Sequence, residues 1–185
     1  MPVAAQADRV ADLQRLWEQH ATFVRELLAR LLGPGADVDD LRQEVFLVAW
    51  RKRELLDGTL PARPWLVGIS VRVAAATRRK ARVRRFLGLS AAPERADRAT
   101  PETLFEQAEA SRVVYEILDR LSERKRTVFV LHELQGLTSV QIGMLVGCPP
   151  ETVRTRLLHA RREFQECLNR RAAREQALAQ GGSRA

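Results

Sequence analysis

The chain has 185 residues, of which 45% are hydrophobic, 29% charged and 5% aromatic, a composition that suits one or two small globular domains and excludes a collagen or a disordered tail. Basic residues number 31 against 23 acidic ones, a formal charge of +8 that favours a polyanionic partner, most simply nucleic acid. Apart from Lys52, Lys80 and Lys125 every basic residue is Arg, the cation that forks onto phosphates and guanine edges, although a GC-rich genome would also enrich Arg and Ala.

Strand patterns are nearly absent and apolar residues recur at three- and four-residue steps, so the chain is predicted to be all-α, with two small helical domains joined by a flexible linker. Leu13, Leu16, Trp17, Val24, Leu27, Leu28 and Leu31 form one stripe of a first helix from Asp8 to Leu32, ended by Gly33-Pro34-Gly35. A second helix starts near Asp37, which can accept hydrogen bonds from free N–H groups of the first turn, and runs to about Leu56; Asp39 and Asp40 suit its positive end. Val38, Leu41, Val45 and Val48 face inward. Asp40, Gln43, Glu44 and Leu47 share another face, and spacing leaves open whether it is a partner surface or an ordinary polar one. A third helix, from about Pro64 to Phe86, finishes in a basic run from Arg78 to Arg85. Trp50 and Trp65 mixed with Arg63, Arg72, Arg78 and Arg79 have the composition of single-stranded nucleic-acid sites, yet both Trp also suit a core.

Gly88, Pro93, Thr100 and Pro101 mark a linker, and Thr100-Pro101 reads as a cap followed by Pro at the first helical position. The predicted plan is a first domain over 8–86, a linker over 87–109, a second domain over 110–172 and a tail over 173–185 that frays. In the second domain Val114, Ile117, Leu118 and Leu121 form a stripe, and Ser122 caps a helix reaching Gln135. Leu137 to Gly147 is a short helix with a capping box between Thr138 and Gln141, and Gly143 allows close approach. After Cys148-Pro149-Pro150, Val153, Leu157, Ala160, Phe164 and Leu168 line one side of a longer helix. Thr152, Arg154, Thr155, Leu158, His159, Arg161 and Arg162 are left toward solvent or a ligand. Two such helices and a tight turn make a helix-turn-helix; the plain alternative is an αα-hairpin with a solvated charged face. In a major groove Thr155, Leu158 and His159 would reach base edges, while Arg154, Arg156 and Arg162 would meet phosphates or guanine. For Arg161 and Arg162 simple solvation fits equally well.

No catalytic set is legible, because His20, His132 and His159 do not cluster and no Gly-rich phosphate loop follows a strand. No enzyme activity, cofactor or metal is expected. Cys148, His159 and Cys167 match no usual zinc spacing, and two loosely spaced cysteines make no disulfide framework. The N-terminus lacks a basic region followed by an apolar core, and no run of about 18 apolar residues occurs, so a cytoplasmic protein without a membrane span is expected.

The chain resembles the extracytoplasmic-function (ECF) sigma factors of bacterial RNA polymerase, in the sigma-70 family. In the first half the resemblance rests on Asp39-Asp-Leu-Arg-Gln-Glu-Val-Phe-Leu-Val-Ala-Trp50 and on Pro64-Trp-Leu-Val-Gly-Ile-Ser70 followed by the basic run. In the second it rests on Leu121-Ser-Glu-Arg-Lys-Arg-Thr-Val-Phe-Val-Leu131, Gly136-Leu-Thr-Ser-Val-Gln-Ile-Gly143 and Gly147-Cys-Pro-Pro-Glu-Thr-Val-Arg-Thr-Arg-Leu157. The resemblance implies promoter-specific initiation. Asp40, Gln43, Glu44 and Leu47 would bind the clamp helices of the largest subunit of core RNA polymerase. Arg63, Trp65, Arg72, Arg78 and Arg79 would hold melted −10 DNA. Thr152, Arg154, Thr155, Arg156, Leu158, His159 and Arg162 would read the −35 duplex. It also implies a contact with the polymerase flap, a linker threaded toward the RNA exit path, and an anti-sigma factor. Many members carry Ile-Ala-Arg-Asn and a later Asp where this chain has Ile69-Ser-Val-Arg72 and Ala76, so Arg72 stands where the family's base-pocket Asn is expected. The competing readings are a conventional regulator that binds an operator without polymerase and a helical adaptor that binds no DNA.

Overall fold

The computed structural model describes residues 2–34, 36–52, 61–89 and 102–181, with side chains placed from 13 to 177 in these ranges except 102–109. Regular structure among the described residues is helical throughout, in two compact units, residues 1–96 and 97–185.

The first unit packs α1 (Pro2–Leu32), α2 (Val38–Arg51) and α3 (Ala62–Phe86) against one another. Val24, Leu27, Leu28 and Leu31 lie on one face of α1 and meet Val45, Phe46 and Ala49 of α2 with Leu66, Val67, Ile69, Val73 and Ala74 of α3, all buried. That apolar burial is the main stabilising term. The α2 face is rotated from the expected one: Val38, Leu41 and Val48 are half-buried while Phe46 and Ala49 go inside. Packing against two helices at once buries a wider arc than a single stripe. The Trp17 and Phe46 rings pack tilted at 4.7 Å, and the Arg42 guanidinium covers Trp17 at 4.9 Å. Gly33, at φ 86°, ends α1 in a left-handed conformation that a side chain would strain. Asp37 Oδ1 accepts from the Asp40 N–H at 3.2 Å and so caps α2 as expected.

The second unit contains α4 (Glu102–Leu118), α5 (Glu123–Phe129) leading into a π-helical turn over Val130–Leu134, α6 (Ser139–Val146) and α7 (Pro150–Gly181). Ile117, Leu118, Leu121, Val128, Val130, Leu131, Ile142, Val153, Leu157, Ala160 and Cys167 form its core, with Phe129 stacked on Phe164 at 4.9 Å.

Three expectations are corrected here. Residues 102–109, inside the linker bounds, are the first part of α4, the helix expected to open at Thr100-Pro101. Ser122 occupies the N-cap position of α5 but makes no side-chain cap bond, and the backbone passes into the π turn after Phe129 rather than continuing as α-helix to Gln135. The tail expected to fray from residue 173 is helical to Gly181; its Ala, Glu and Gln residues have high helix propensity, and Arg171 Nε donates to Glu175 Oε1 at 2.8 Å. The second helix beyond Lys52, the cap at Thr100-Pro101 and most of the linker lie outside the described residues.

A Cβ placed on Gly143 would stand 2.6 Å from the Cys148 carbonyl oxygen, closer than any real contact, so α6 and the turn before α7 meet backbone to backbone. Gly136, by contrast, has open space but φ +68°. Gly143→Ala is expected to destabilise the protein by about 1–3 kcal/mol through overpacking, and Gly136→Ala by about 1 kcal/mol through strain alone. Urea titration of both variants would measure the difference, and an unchanged midpoint for Gly143→Ala would contradict the close approach.

Candidate nucleic-acid interface

The helix-turn-helix is assembled from local signals. Thr138 Oγ1 accepts from the Gln141 N–H at 3.3 Å, and Gln141 Oε1 accepts from the Thr138 N–H at 2.9 Å, completing the capping box of α6. Gly147, at φ 68°, ends that helix, and the Cys148 N–H returns to the Gly143 carbonyl at 3.0 Å. Ahead of it the Leu137 N–H donates to the Leu131 carbonyl at 3.0 Å, and His132 Nδ1 donates to the Leu137 carbonyl at 2.8 Å. These bonds lock the loop between the π turn and α6. Arg156, half-buried, donates to Cys148 Sγ at 3.3 Å and ties α7 back to the turn.

With Val153, Leu157 and Ala160 buried, the opposite face of α7 presents Arg154, Thr155, Leu158, His159 and Arg162 to solvent, with Thr152 half-buried beside them. Leu158, a large apolar side chain, is 67% exposed. The arginines are held by neighbours. Arg154 pairs with Glu151 across one turn, and Arg162 with Glu166 at 2.9 Å. Arg161 forks onto Glu133 of the π turn at 2.6–2.7 Å, a partner that its place in the sequence does not indicate. Thr155 Oγ1 donates to the Glu151 carbonyl at 3.0 Å. Exposed pairs of this kind are weak and screened by salt, so they orient the guanidinium groups without preventing exchange onto a phosphate.

Sequence reasoning missed Arg126. It is 1% exposed, donates to Asp119 Oδ1 at 2.6 Å and lies 5.9 Å from the Tyr115 ring. A buried cation needs such partners, because leaving it uncompensated costs several kcal/mol. The pattern around it is helical and apolar, and nothing in the sequence distinguishes this arginine from its exposed neighbours Arg120 and Arg124. Lys125, one position before it, pairs with Glu163 of α7.

In the first unit Asp40, Gln43, Glu44 and Leu47 all lie exposed on α2, with Leu47 56% exposed. Asp39 beside them is engaged by Arg25 at 3.4 Å and Arg42 at 3.1 Å. Arg72 and Arg79 are exposed and Arg78 is half-buried on α3. Trp65 is half-buried, between a core and a surface role. Arg63 sits over the Phe23 ring at 4.2 Å, which anchors the first turn of α3 to α1.

Region 2 of the sigma-70 family matches residues 16–84, and region 4 of that family matches residues 111–164. The ECF RNA polymerase sigma factor SigL of Mycobacterium tuberculosis is 30% identical over 163 residues, 87% of this chain and 91% of that protein. The chain belongs to the ECF sigma factors. The sigma-E factor of Escherichia coli is 31% identical over 150 residues, 75% of this chain and 76% of that one. The RNA polymerase sigma factor NccH of Alcaligenes xylosoxydans xylosoxydans is 27% identical over 169 residues, 89% and 90% of the two chains. Two solved structures share the fold. CnrH, in complex with the cytosolic domain of CnrY, superposes with a TM-score of 0.60 at 20% identity over 85% of this chain and 87% of its own. RpoE of Bartonella quintana, in complex with the anti-sigma factor NepR, gives 0.61 at 21% over 85% and 97%.

The protein is therefore a DNA-binding sigma factor of transcription initiation, with region 2 in its first unit and region 4 in its second. Sigma factors as a family are non-enzymatic regulators. Among the described residues no helix of the sigma factor is long and apolar enough to cross a membrane, and no group of three or more His, Cys, Asp or Glu is placed to hold a metal ion.

His20 of the sigma factor is pushed below its ordinary pKa, first by burial and then by the Arg63 guanidinium. The unfolded state therefore takes up a proton more readily than the folded one. The stability tied to His20 is present above its ordinary value near 6.5 and is lost as pH falls from there toward the depressed folded value. Thermal unfolding of the intact protein between about pH 7.5 and pH 5 is expected to show this loss, and His20→Gln to flatten it. An equally steep profile in the variant would assign the loss to other groups.

Proposed function

We propose that this sigma factor places core RNA polymerase at promoters by reading the −35 duplex with α7 and holding melted −10 DNA with α3. The observation that carries this reading is the solvent-facing set Arg154, Thr155, Leu158, His159 and Arg162 on a helix whose angle is set by backbone contact at Gly143. In the major groove Leu158 offers an apolar surface for a thymine methyl group, Thr155 and His159 offer hydrogen bonds to base edges, and the arginines exchange their acidic neighbours for phosphates or guanine. Thr152 and Arg156 lie at the edge of this face, where contacts position the helix.

The exposed Asp40, Gln43, Glu44 and Leu47 form the polymerase-binding face, which combines one apolar anchor with polar groups as transient interfaces do. Arg63, Trp65, Arg72, Arg78 and Arg79 supply the −10 surface, where unstacked bases and phosphates offset the cost of opening the duplex. The functional domains are 8–86 and 110–172. The chain makes and breaks no bond itself, works in the cytoplasm without a cofactor, and is held inactive by an anti-sigma factor, a partner of the kind found with the Bartonella quintana protein.

Run-off transcription with purified bacterial core polymerase and upstream fragments of the source genome tests the reading. Defined starts that need this protein are expected; operator binding by the protein alone without any new start would favour a conventional regulator. Leu158→Ala is expected to lower initiation most where its contacted position is a T, by about 1–3 kcal/mol in apparent promoter affinity. Leu47→Asp is expected to abolish polymerase binding while leaving the fold intact. Arg72→Ala, compared across −10 variants, separates base readout from phosphate contact: equal relative losses on every variant would show that Arg72 does not read a base.

A further inference from the structure

We propose that a cleft between α4 and the C-terminal part of α7 is a binding site for a compact phosphate-bearing anion of the diphosphate or nucleoside polyphosphate class. The cleft encloses about 350 Å³. Its floor includes the buried Ile117 and Cys167, and its walls carry four arginines, Arg120, Arg170, Arg171 and Arg174, against two carboxylates, Glu116 and Glu175.

The pairing within the cleft leaves it positive. Arg171 of α7 is engaged by both carboxylates, at 3.1 Å to Glu116 across the cleft and 2.8 Å to Glu175 on its own helix, and Arg112 also approaches Glu116 at 3.9 Å, so neither acidic group is left to offset the other arginines. Arg170 donates to the Glu166 carbonyl at 3.2 Å and to Cys167 Sγ at 3.3 Å, neither of which carries a charge that offsets its own. Arg120 and Arg174 have no acidic partner among the described residues. Three guanidinium groups on two helices thus surround one concavity without a compensating carboxylate. Their mutual repulsion is relieved by an anion, and the planar fork of Arg matches phosphate oxygens two at a time. The enclosed volume suits a few phosphate groups with an apolar face resting on Ile117 and Cys167.

This cleft is separate from the DNA-reading face. Arg174 is sixteen positions beyond Leu158 on one continuous helix, a separation of about 24 Å at 1.5 Å per residue. The α4 residues of the cleft, Glu116, Ile117 and Arg120, lie within the part of the chain that matches region 4, whereas its α7 residues, from Cys167 on, lie beyond residue 164, where that match ends. Helix beyond residue 172 adds Arg174 and Glu175 to the wall formed by Cys167, Arg170 and Arg171.

Calorimetric titration of the full chain with inorganic pyrophosphate, and separately with ATP free of magnesium, tests the site at low ionic strength. Saturable binding of one anion per chain is expected. Arg120→Gln with Arg174→Gln should weaken it by about tenfold or more, and Arg120→Lys with Arg174→Lys, which keeps charge but loses the fork, by a smaller factor. Arg84→Gln with Arg124→Gln removes the same charge elsewhere and should leave affinity within about twofold if contact rather than net charge matters. Absence of saturable binding, equal weakening by the two Gln pairs, or equally tight binding of citrate would each overturn the assignment.

Discussion

A methyl group at position 143 would stand 2.6 Å from the Cys148 carbonyl oxygen, so α6 and the chain entering α7 can approach only through a residue without a side chain. That contact determines the angle at which α7 leaves the turn, and with it which of its side chains are buried and which reach outward. The reciprocal cap at Thr138 and Gln141 fixes one end of α6, the left-handed Gly147 fixes the other, and Arg156 fastens α7 to the sulfur of Cys148. Each bond is modest in isolation. Together they make a rigid frame from a helix of eight residues, which is too short to be stable alone.

Rigidity of the frame matters because base readout depends on placing side chains to within a fraction of an ångström, whereas phosphate contact tolerates adjustment. Under the proposed −35 reading the distribution of partners follows that division. Thr155, Leu158 and His159 project from a fixed backbone, while Arg154, Arg161 and Arg162 are held by Glu151, Glu133 and Glu166 in exposed pairs that solvent and salt weaken. Acidic partners keep a strongly basic helix from repelling itself, and the phosphate contacts proposed for these arginines would replace them.

The first unit is a three-helix core, and the two surfaces proposed for it lie on its outside. The inward arc of α2 is Val45, Phe46 and Ala49, so Asp40, Gln43, Glu44 and Leu47 are turned away from α1 and α3. Arg63 and Arg42 keep their charge and rest on the Phe23 and Trp17 rings. Cation–π contact of this kind contributes about 0.5–1 kcal/mol at exposed sites, and it joins the helices through their aromatic rim. A long α3 then leads the basic run out from the core to Phe86 and Leu87, both exposed.

The all-α class, the two-part plan, the caps at Asp37 and Thr138, the stops at Gly33 and Gly147 and the outer face of α7 were legible in the sequence, because each follows from local chemistry: helical periodicity, a side-chain oxygen at a helix start, or a backbone angle that glycine tolerates. The grouping of Asp40, Gln43, Glu44 and Leu47 was legible for the same reason, since residues three and four apart share a helix face. Tertiary structure decided the rest. Whether α2 buries Val48 or Phe46 depends on how two other helices clasp it, and the burial of Arg126 beside Asp119 and Tyr115 depends on the path of the α4–α5 turn. The pairing of Arg161 with Glu133 joins residues 28 apart, and Arg174 joins the cleft at Arg120 only because α7 stays helical past its expected end. Sequence spacing carries contacts within one turn of a helix; contacts between helices depend on packing, which no local pattern encodes.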